Sequence, residues 1–147
     1  TNPLQPLGSS QTINGKTNTA EITQSHDTSN MITSSHEFNL ALQSANKKQQ
    51  VAVLDFYADW CIACKIMDNE IFSQTDTKQQ MQNVAFIQLN MTENTGDQLT
   101  LLNNFGLFGP PAVLFFKHGQ ELKHLRIVGE VDKATFLSHL KKAQIQI

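Results

Sequence analysis

Apolar and polar positions divide the chain into a polar leader and a segment with regular periodicity. Residues 1–30 contain seventeen Ser, Thr, Asn or Gln residues and no aromatic residue. A segment of this composition buries too little apolar surface to offset the entropy lost on ordering. We therefore expect a disordered polar leader or linker at 1–30, with a partner-binding tail as the alternative, and one folded domain at 31–147.

Within 31–147 the spacing of apolar residues switches between helical and strand periods. Helices are predicted at about 35–46 after an N-cap at Ser34 or Ser35, at about 62–72, at 75–82, at about 99–105 before Gly106, and after Asp132. Strands are predicted at 51–57, 84–90 and 112–117, with a hairpin strand at 122–128 and a short edge strand at 31–33. The apolar run at 51–57 is typical of a central strand. This order predicts an α/β domain with a mixed central sheet flanked by helices.

The two cysteines stand two residues apart, directly after the predicted central strand, in the run Trp60-Cys61-Ile62-Ala63-Cys64-Lys65. Closing so short a loop constrains the unfolded chain little, so a purely structural disulfide would stabilise the fold only modestly. The spacing suits thiol–disulfide exchange, in which one thiolate attacks a partner's disulfide and the second thiol resolves the mixed disulfide. At a helix N-terminus, Cys61 is the favoured nucleophile and Cys64, one turn further in, is the resolving cysteine.

Other interpretations of the cysteine pair stay open: a static disulfide, two inert thiols, or half of a zinc site. Structural zinc usually takes four Cys or His ligands, and the sequence has no second cysteine pair, so we expect no metal and no cofactor beyond the redox-active pair. The net charge is −2 without a basic stripe, so nucleic acid is not an expected partner, and the domain is expected to be monomeric. No apolar run approaches the ~18 residues that span a bilayer.

Several segments resemble a known family. The run at 55–65 resembles the active-site segment of the thioredoxin family, Pro111 before a strand is similar to its cis-proline, and Val128-Gly129 resembles its closing glycine. A closer resemblance, over about 31–144, is to the C-terminal periplasmic domains of the DsbD family of thiol:disulfide interchange proteins. It is carried by Tyr-Ala-Asp-Trp-Cys-X-Ala-Cys-Lys at 57–65, Phe72-Ser73, Asn90-Met91-Thr92 and Leu114-Phe115-Phe116. The resemblance implies a thioredoxin fold.

The resemblance also implies a function. In that family this domain takes electrons from the protein's own transmembrane domain and passes them to its N-terminal periplasmic domain, which serves downstream periplasmic disulfide proteins. The chain is thus expected to be a protein-disulfide reductase and electron relay on the periplasmic side of the bacterial inner membrane, with the leader as a tether. The alternatives are a free-standing periplasmic thioredoxin-like reductase, for example in cytochrome c maturation, and a thioredoxin-fold binding module with a structural disulfide. Without an initiating Met or a signal-peptide pattern, the chain is expected to be an excised domain or a processed product.

Roles for residues near the cysteines follow from the same resemblance. The resemblance makes Asp55 the buried acid that handles the Cys64 proton, and burial should raise its pKa. The alternative is a solvated or salt-bridged Asp55 at a sheet edge. Asp68 lies four residues after Cys64, where the family has Glu. Its charge would raise the Cys61 pKa, unless it is simply a surface carboxylate. Pro111 is expected to be cis and opposite the disulfide, with an ordinary trans turn as the alternative.

Contacts with a partner protein are expected around the cysteines and before the presumed cis-proline, at Trp60, Ile62, Ala63 and Pro110. Trp60 is the single tryptophan, so its fluorescence should report the redox state of the cysteines. Two of these positions depart from the thioredoxin pattern. Ile62-Ala63 replaces the usual Gly-Pro, which favours the DsbD-like interpretation, and Pro110 replaces the aliphatic residue or Thr that commonly precedes the cis-proline.

Overall fold

The computed structural model describes residues 31–145, so the predicted leader at 1–30 lies outside the described residues. The helices are α1 (Ser35–Lys47), α2 (Ile62–Met67), α3 (Thr75–Gln80), α4 (Gly96–Asn104) and α5 (Lys133–Ile145). The strands are β1 (Ala52–Tyr57), β2 (Ala85–Asn90), β3 (Ala112–Lys117), β4 (Gln120–Glu121) and β5 (Ile127–Val128). No helix among residues 31–145 is long and apolar enough to cross a membrane.

The strands within residues 31–145 form one mixed sheet in the order β2-β1-β3-β4, and β5 also pairs with β3. The predicted central strand is confirmed, because β1 pairs in parallel with β2 and antiparallel with β3 and all of its residues are buried. Since β1 and β3 are antiparallel, the end of β1 lies beside the start of β3, with Phe56 opposite Ala112. The segment after β1, which holds the cysteines, and the segment before β3, which holds Pro111, therefore share one end of the sheet.

Strand alternation divides the sheet's side chains between two apolar layers. One face packs against α5 and the turn after α2 through Val53, Phe72, Phe115 and Phe136. The other face packs against α1 through the rings of Phe38, Phe56, Phe105 and Phe116. Asp55 lies two residues from Val53 and so belongs to the first face, which the elements following the cysteines cover.

The helix ends follow local capping chemistry. Ser34 caps α1 and Asp132 caps α5, as predicted. The start of α4 precedes the predicted one because Thr95 and Gln98 form a reciprocal capping box. Gly106 follows α4 with a φ of 73°, a left-handed conformation that favours glycine, so the predicted helix stop is confirmed.

The predicted hairpin strand at 122–128 is wrong. The chain forms β4, a 3₁₀ turn at Lys123–Leu125 and then β5, each strand only two residues long. The guanidinium of Arg126 donates hydrogen bonds to both carboxylate oxygens of Glu121 and to the carbonyl of Phe105. These charge-assisted contacts hold the turn and take the place of a continuous ladder.

Two further predicted elements differ in the structure: one is shorter than predicted and one is divided in two. The edge strand expected at 31–33 is a single parallel bridge between Ile32 and Leu89. The helix expected at about 62–72 is α2 followed by a π-helical turn at Asp68–Phe72. Such π turns recur at functional sites, and this one begins at a predicted site residue.

Candidate active site

Cys61 and Cys64 form a disulfide at the N-terminus of α2. Cys61 caps this helix, and the backbone N–H of Cys64 donates to Cys61 Sγ at 3.1 Å. Both cysteines are buried, Cys61 at 7% exposed and Cys64 at 3% exposed, so Cys61 is the more exposed residue of the pair. In the reduced protein this N–H would stabilise a Cys61 thiolate. Cys64 Sγ lies 3.7 Å from the carbonyl oxygen of Phe56, a position from which a Cys64 thiol can donate to it.

Two carboxyl groups on different elements meet at one amide near the cysteine motif. Asp55 is 3% exposed in β1, and Asp68 is half-buried at the first position of the π-helical turn. Gln88 Nε2, from β2, donates to Asp55 Oδ2 at 2.9 Å and to Asp68 Oδ1 at 3.0 Å. The structure therefore brings together both acids predicted from the sequence and joins them through Gln88.

The surroundings of these acids raise their pKa values. Burial raises the pKa of Asp55 to about 8, the Gln88 hydrogen bond opposes this rise, and the charge of Asp68 adds to it. Burial also raises the pKa of Asp68, against the Gln88 hydrogen bond and the charge of Lys65. The predicted rise of the Asp55 pKa is confirmed. A solvated or salt-bridged Asp55 at a sheet edge is excluded, because β1 is paired on both sides and Asp55 is buried. Carboxyl groups with strongly raised pKa values are typical of proton-transfer sites.

Gln88 is absent from the residues predicted from the sequence. The sequence feature that could have identified it is the alternation of side chains along β2, which places Gln88 on the same face as Phe86. The ring of Phe86 packs on that of Phe72, which follows α2. A polar side chain on that covered face needs a polar partner. The partner became identifiable only from the β1–β2 register, which places Gln88 opposite Asp55.

Trp60 is anchored by the segment that follows β2. Its Nε1–H donates to the carbonyl oxygen of Thr92 at 3.1 Å, and the backbone N–H of Asp59 donates to Thr92 Oγ1 at 2.8 Å. Thr92 Oγ1 donates in turn to Asn90 Oδ1, and the hydroxyl of Tyr57 donates to Asp59 Oδ1 at 3.0 Å. The indole remains 53% exposed, so it is held in place beside Cys61 without being buried.

This anchoring predicts the effect of Thr92→Val, which removes the hydroxyl and leaves the Asp59 N–H without that acceptor. We expect a loss of about 1–2 kcal/mol in the free energy of unfolding and a changed emission spectrum of Trp60 in the oxidised protein. Urea unfolding and fluorescence measure the two effects. Thr135→Val, at an exposed position of α5, is the matched control. If Thr92→Val left both quantities at the control values, the anchoring role of Thr92 would be wrong.

Exposed apolar side chains occur in the segments at the motif end of the sheet. Ile62 is 76% exposed, Val128 is 67% exposed opposite Ala112, and Phe108, before β3, is 99% exposed. Such side chains are typical of protein-contact surfaces. Phe108 and Val128 were not predicted as contact residues. Apolar character alone does not distinguish an exposed side chain at a strand end or in a loop from one packed in the core.

The segment before β3 carries the predicted cis-proline. The peptide bond between Pro110 and Pro111 is cis, as expected. Both prolines are half-buried, as is Ala63. The carbonyl oxygen of Pro111 accepts a hydrogen bond from the backbone N–H of Gly129 at 3.0 Å, which joins the end of β5 to this segment. Within residues 31–145, no group of three or more His, Cys, Asp or Glu side chains is placed to hold a metal ion.

Sequence relatives place the chain among known proteins. The Thioredoxin-like domain family matches residues 38–144. Thiol:disulfide interchange protein DsbD 1 of Pseudomonas aeruginosa is 34% identical over 113 residues, which cover 76% of this chain and 19% of that protein. DsbD of Escherichia coli K12 is 37% identical over 131 residues, covering 88% of this chain and 23% of that protein. The chain thus spans about a fifth of the length of these curated relatives.

Solved structures give the same picture. The oxidised C-terminal domain of Neisseria meningitidis DsbD superposes with a TM-score of 0.68 at 32% identity, covering 77% of this chain and 98% of that domain. A thioredoxin from Thermus thermophilus, at 19% identity and a TM-score of 0.64, covering 78% of this chain and 87% of that one, shares the fold. The predicted thioredoxin fold is confirmed, and the cysteine pair with these relatives supports a thiol–disulfide oxidoreductase of the protein-disulfide reductase class. The chain belongs to the thioredoxin-like family and, within it, to the C-terminal domains of DsbD proteins.

Proposed function

We propose that this domain is an electron relay, which receives electrons from a membrane-embedded dithiol and passes them to the disulfide of a periplasmic partner domain. The observation that carries the proposal is the Cys61–Cys64 disulfide in a chain whose buried Asp55 and half-buried Asp68 are joined through Gln88. The chain covers 98% of the C-terminal domain of a DsbD protein. Residues 31–147 are the relay domain and 1–30 its tether. The site of action is the periplasmic side of the bacterial inner membrane.

Electron delivery proceeds by two exchange steps. The Cys61 thiolate attacks one sulfur of the partner's disulfide, so that a Cys61–partner disulfide forms and the partner's second sulfur leaves as a thiolate. Cys64 then loses its proton and attacks Cys61 Sγ. The mixed disulfide breaks, the partner departs as a dithiol, and the domain is left with the Cys61–Cys64 disulfide. The membrane dithiol restores the two electrons by the reverse steps.

Asp55 is the acceptor of the Cys64 proton in the second step. It precedes Phe56, whose carbonyl oxygen lies 3.7 Å from Cys64 Sγ. The pKa of Asp55, raised to about 8, lies near the ~8.5 of an unperturbed thiol, so the proton passes between the two groups with little change in free energy.

Asp68 tunes the other cysteine. Its charge lies near the helix that Cys61 caps, since Asp68 follows Cys64 by four residues, and negative charge raises the pKa of a thiol. A strong oxidant depends on an over-stable thiolate in its reduced form. A Cys61 thiolate that is not over-stable therefore favours electron donation.

The partner contacts the domain through the segments around the disulfide. Trp60, Ile62, Ala63 and Pro110 supply these contacts, extended by the exposed Phe108 and Val128. Pro111 directly precedes β3, near the end of β1, where an extended partner segment would meet both cysteines and the cis-proline loop. The partners proposed are the transmembrane and N-terminal domains of a DsbD-like protein and, through them, periplasmic disulfide proteins.

The test follows electron transfer from the reduced chain by the fluorescence of Trp60. We expect rapid oxidation by the disulfide-bonded N-terminal periplasmic domain of a DsbD protein and slow oxidation by glutathione disulfide at the same concentration. Equal rates would contradict the relay and leave a general reductase. A Cys61–Cys64 disulfide that resists mild dithiol reductants would contradict any exchange activity and indicate a structural disulfide in a binding module.

A further inference from the structure

We propose that Gln88 is a positioning residue that couples Asp55 to Asp68, so that the protonation of each carboxyl group depends on that of the other. The inference rests on the proton-transfer role proposed above for Asp55. It adds a third residue to the site, one that carries no charge and does not touch either sulfur in the contacts described.

The backbone of Gln88 is held on both sides. In the parallel pairing of β1 and β2, Gln88 lies directly opposite Asp55. On the other side its carbonyl oxygen accepts a hydrogen bond from the N–H of Ile32 at 2.9 Å. Because both neighbours fix the strand, the side chain of Gln88 starts from a defined position and its reach toward the acids costs little additional ordering.

The two acids use both N–H donors of the Gln88 side chain. Its Nε2 carries two hydrogens, and its two hydrogen bonds run to Asp55 Oδ2 at 2.9 Å and to Asp68 Oδ1 at 3.0 Å. The two acceptor oxygens therefore lie within about 6 Å of each other, a distance at which like charges raise each other's pKa. One neutral donor thus stabilises the ionised forms of both carboxyl groups and keeps them close enough to interact.

The remaining titratable groups around the pair act on one acid or stay neutral. Lys65, in α2, lowers the pKa of Asp68 by its charge. Tyr57, on the same strand as Asp55, has a pKa raised to about 12 by burial, by its hydrogen bond to Asp59 and by the surrounding acids, so it remains neutral through the physiological range. The coupling of the two acids therefore runs through Gln88 and through their direct repulsion, as for other interacting carboxyl pairs.

Gln88→Leu removes both N–H donors and puts an apolar side chain of similar size in their place. Without the donor, the neutral form of each acid is favoured, and we expect the pKa of Asp55 to rise by about one unit. The ionised fraction of Asp55 at pH 7 then falls about tenfold, and resolution of the mixed disulfide by Cys64 should slow about tenfold. With neutral acids nearby, the pKa of the Cys61 thiol should fall by about one unit.

The Cys61 pKa is measured on the reduced protein, and the resolution rate on its mixed disulfide. The pH dependence of alkylation by iodoacetamide gives the Cys61 pKa, and stopped-flow release of a mixed disulfide formed with a small aromatic thiol gives the resolution rate. Gln79→Leu, at an exposed position of α3, is the matched control and should move neither quantity. A purely structural role for Gln88 would lower stability while leaving the Cys61 pKa in place, and would overturn the proposal.

A double-mutant cycle separates this inference from the proposed function. In the background Asp55→Asn with Asp68→Asn, the change Gln88→Leu should no longer shift the Cys61 pKa, because no acid remains to respond; a full shift there would overturn the coupling. If the two Asn changes alone leave the Cys61 pKa and the resolution rate unaltered, the acid roles themselves are wrong. If Gln88→Leu fails to fold, Gln88→Asn, which retains the amide on a shorter side chain, should shift the Cys61 pKa in the same direction by less, and no shift would overturn the proposal.

Discussion

Cys64→Ser is expected to accumulate a covalent complex between this domain and its partner, linked through Cys61. The variant keeps Cys61, the more exposed residue of the pair, and the backbone N–H of residue 64 that stabilises its thiolate. It lacks the second sulfur that would release the partner. Multiple-turnover disulfide reduction should therefore fall by at least about a thousand-fold, while the first exchange step proceeds. Non-reducing electrophoresis after incubation with an oxidised DsbD N-terminal domain measures the complex.

The reciprocal variant is the matched control. Cys61→Ser removes the nucleophile but leaves Cys64, which is only 3% exposed and points toward the Phe56 carbonyl. We expect no covalent complex and no turnover. A complex formed equally well by Cys61→Ser would show that Cys64 can act as the attacking thiol, and the order of the two steps would have to be reversed.

Elements with a strong apolar period were predictable from the sequence. The near-continuous apolar run that forms β1 indicated the centre of the sheet, because a strand covered on both faces has no solvent-facing side that requires polar residues. The cysteine motif was equally clear, since it directly follows that strand and precedes a helical pattern. Asp55 could be identified as a buried acid for the same reason: a carboxylate within such a run has no solvent to face.

Features set by contacts distant in the chain were not predictable in the same way. The turn between β4 and β5 depends on the guanidinium of Arg126 reaching Glu121 and the carbonyl of Phe105, and no local pattern encodes the second of these partners. Gln88 required the register of two strands joined by a long crossover. A one-residue slip would have moved its side chain to the opposite face. Local periodicity was therefore enough to identify the cysteines and Asp55, whereas Gln88 could be identified only from the pairing of strands distant in the sequence.

Asp55→Asn is expected to flatten the pH dependence of folding stability. The pKa of Asp55 is about 8 in the folded protein against 3.8 for a free carboxyl, so between these values the folded state holds a proton that the unfolded state releases. Stability must therefore fall as pH rises through this window. At about 1.4 kcal/mol per pKa unit, the wild type should lose about 4 kcal/mol more than Asp55→Asn between pH 5 and pH 8. The neutral Asn keeps an acceptor oxygen for Gln88, so its folded structure should be preserved.

Urea unfolding of the oxidised proteins at several pH values measures this difference, because the disulfide removes both thiols from the titration. Asp68 remains in both proteins, and its own raised pKa contributes a slope of the same sign to each. Glu93→Gln, at an exposed loop position, removes one carboxyl without relieving burial and should retain the wild-type slope. Parallel curves for the wild type and Asp55→Asn would mean that Asp55 is ionised in the folded protein at pH 5. Such an acid would hold too little affinity for a proton to accept one from Cys64, and proton transfer would have to be assigned to another group.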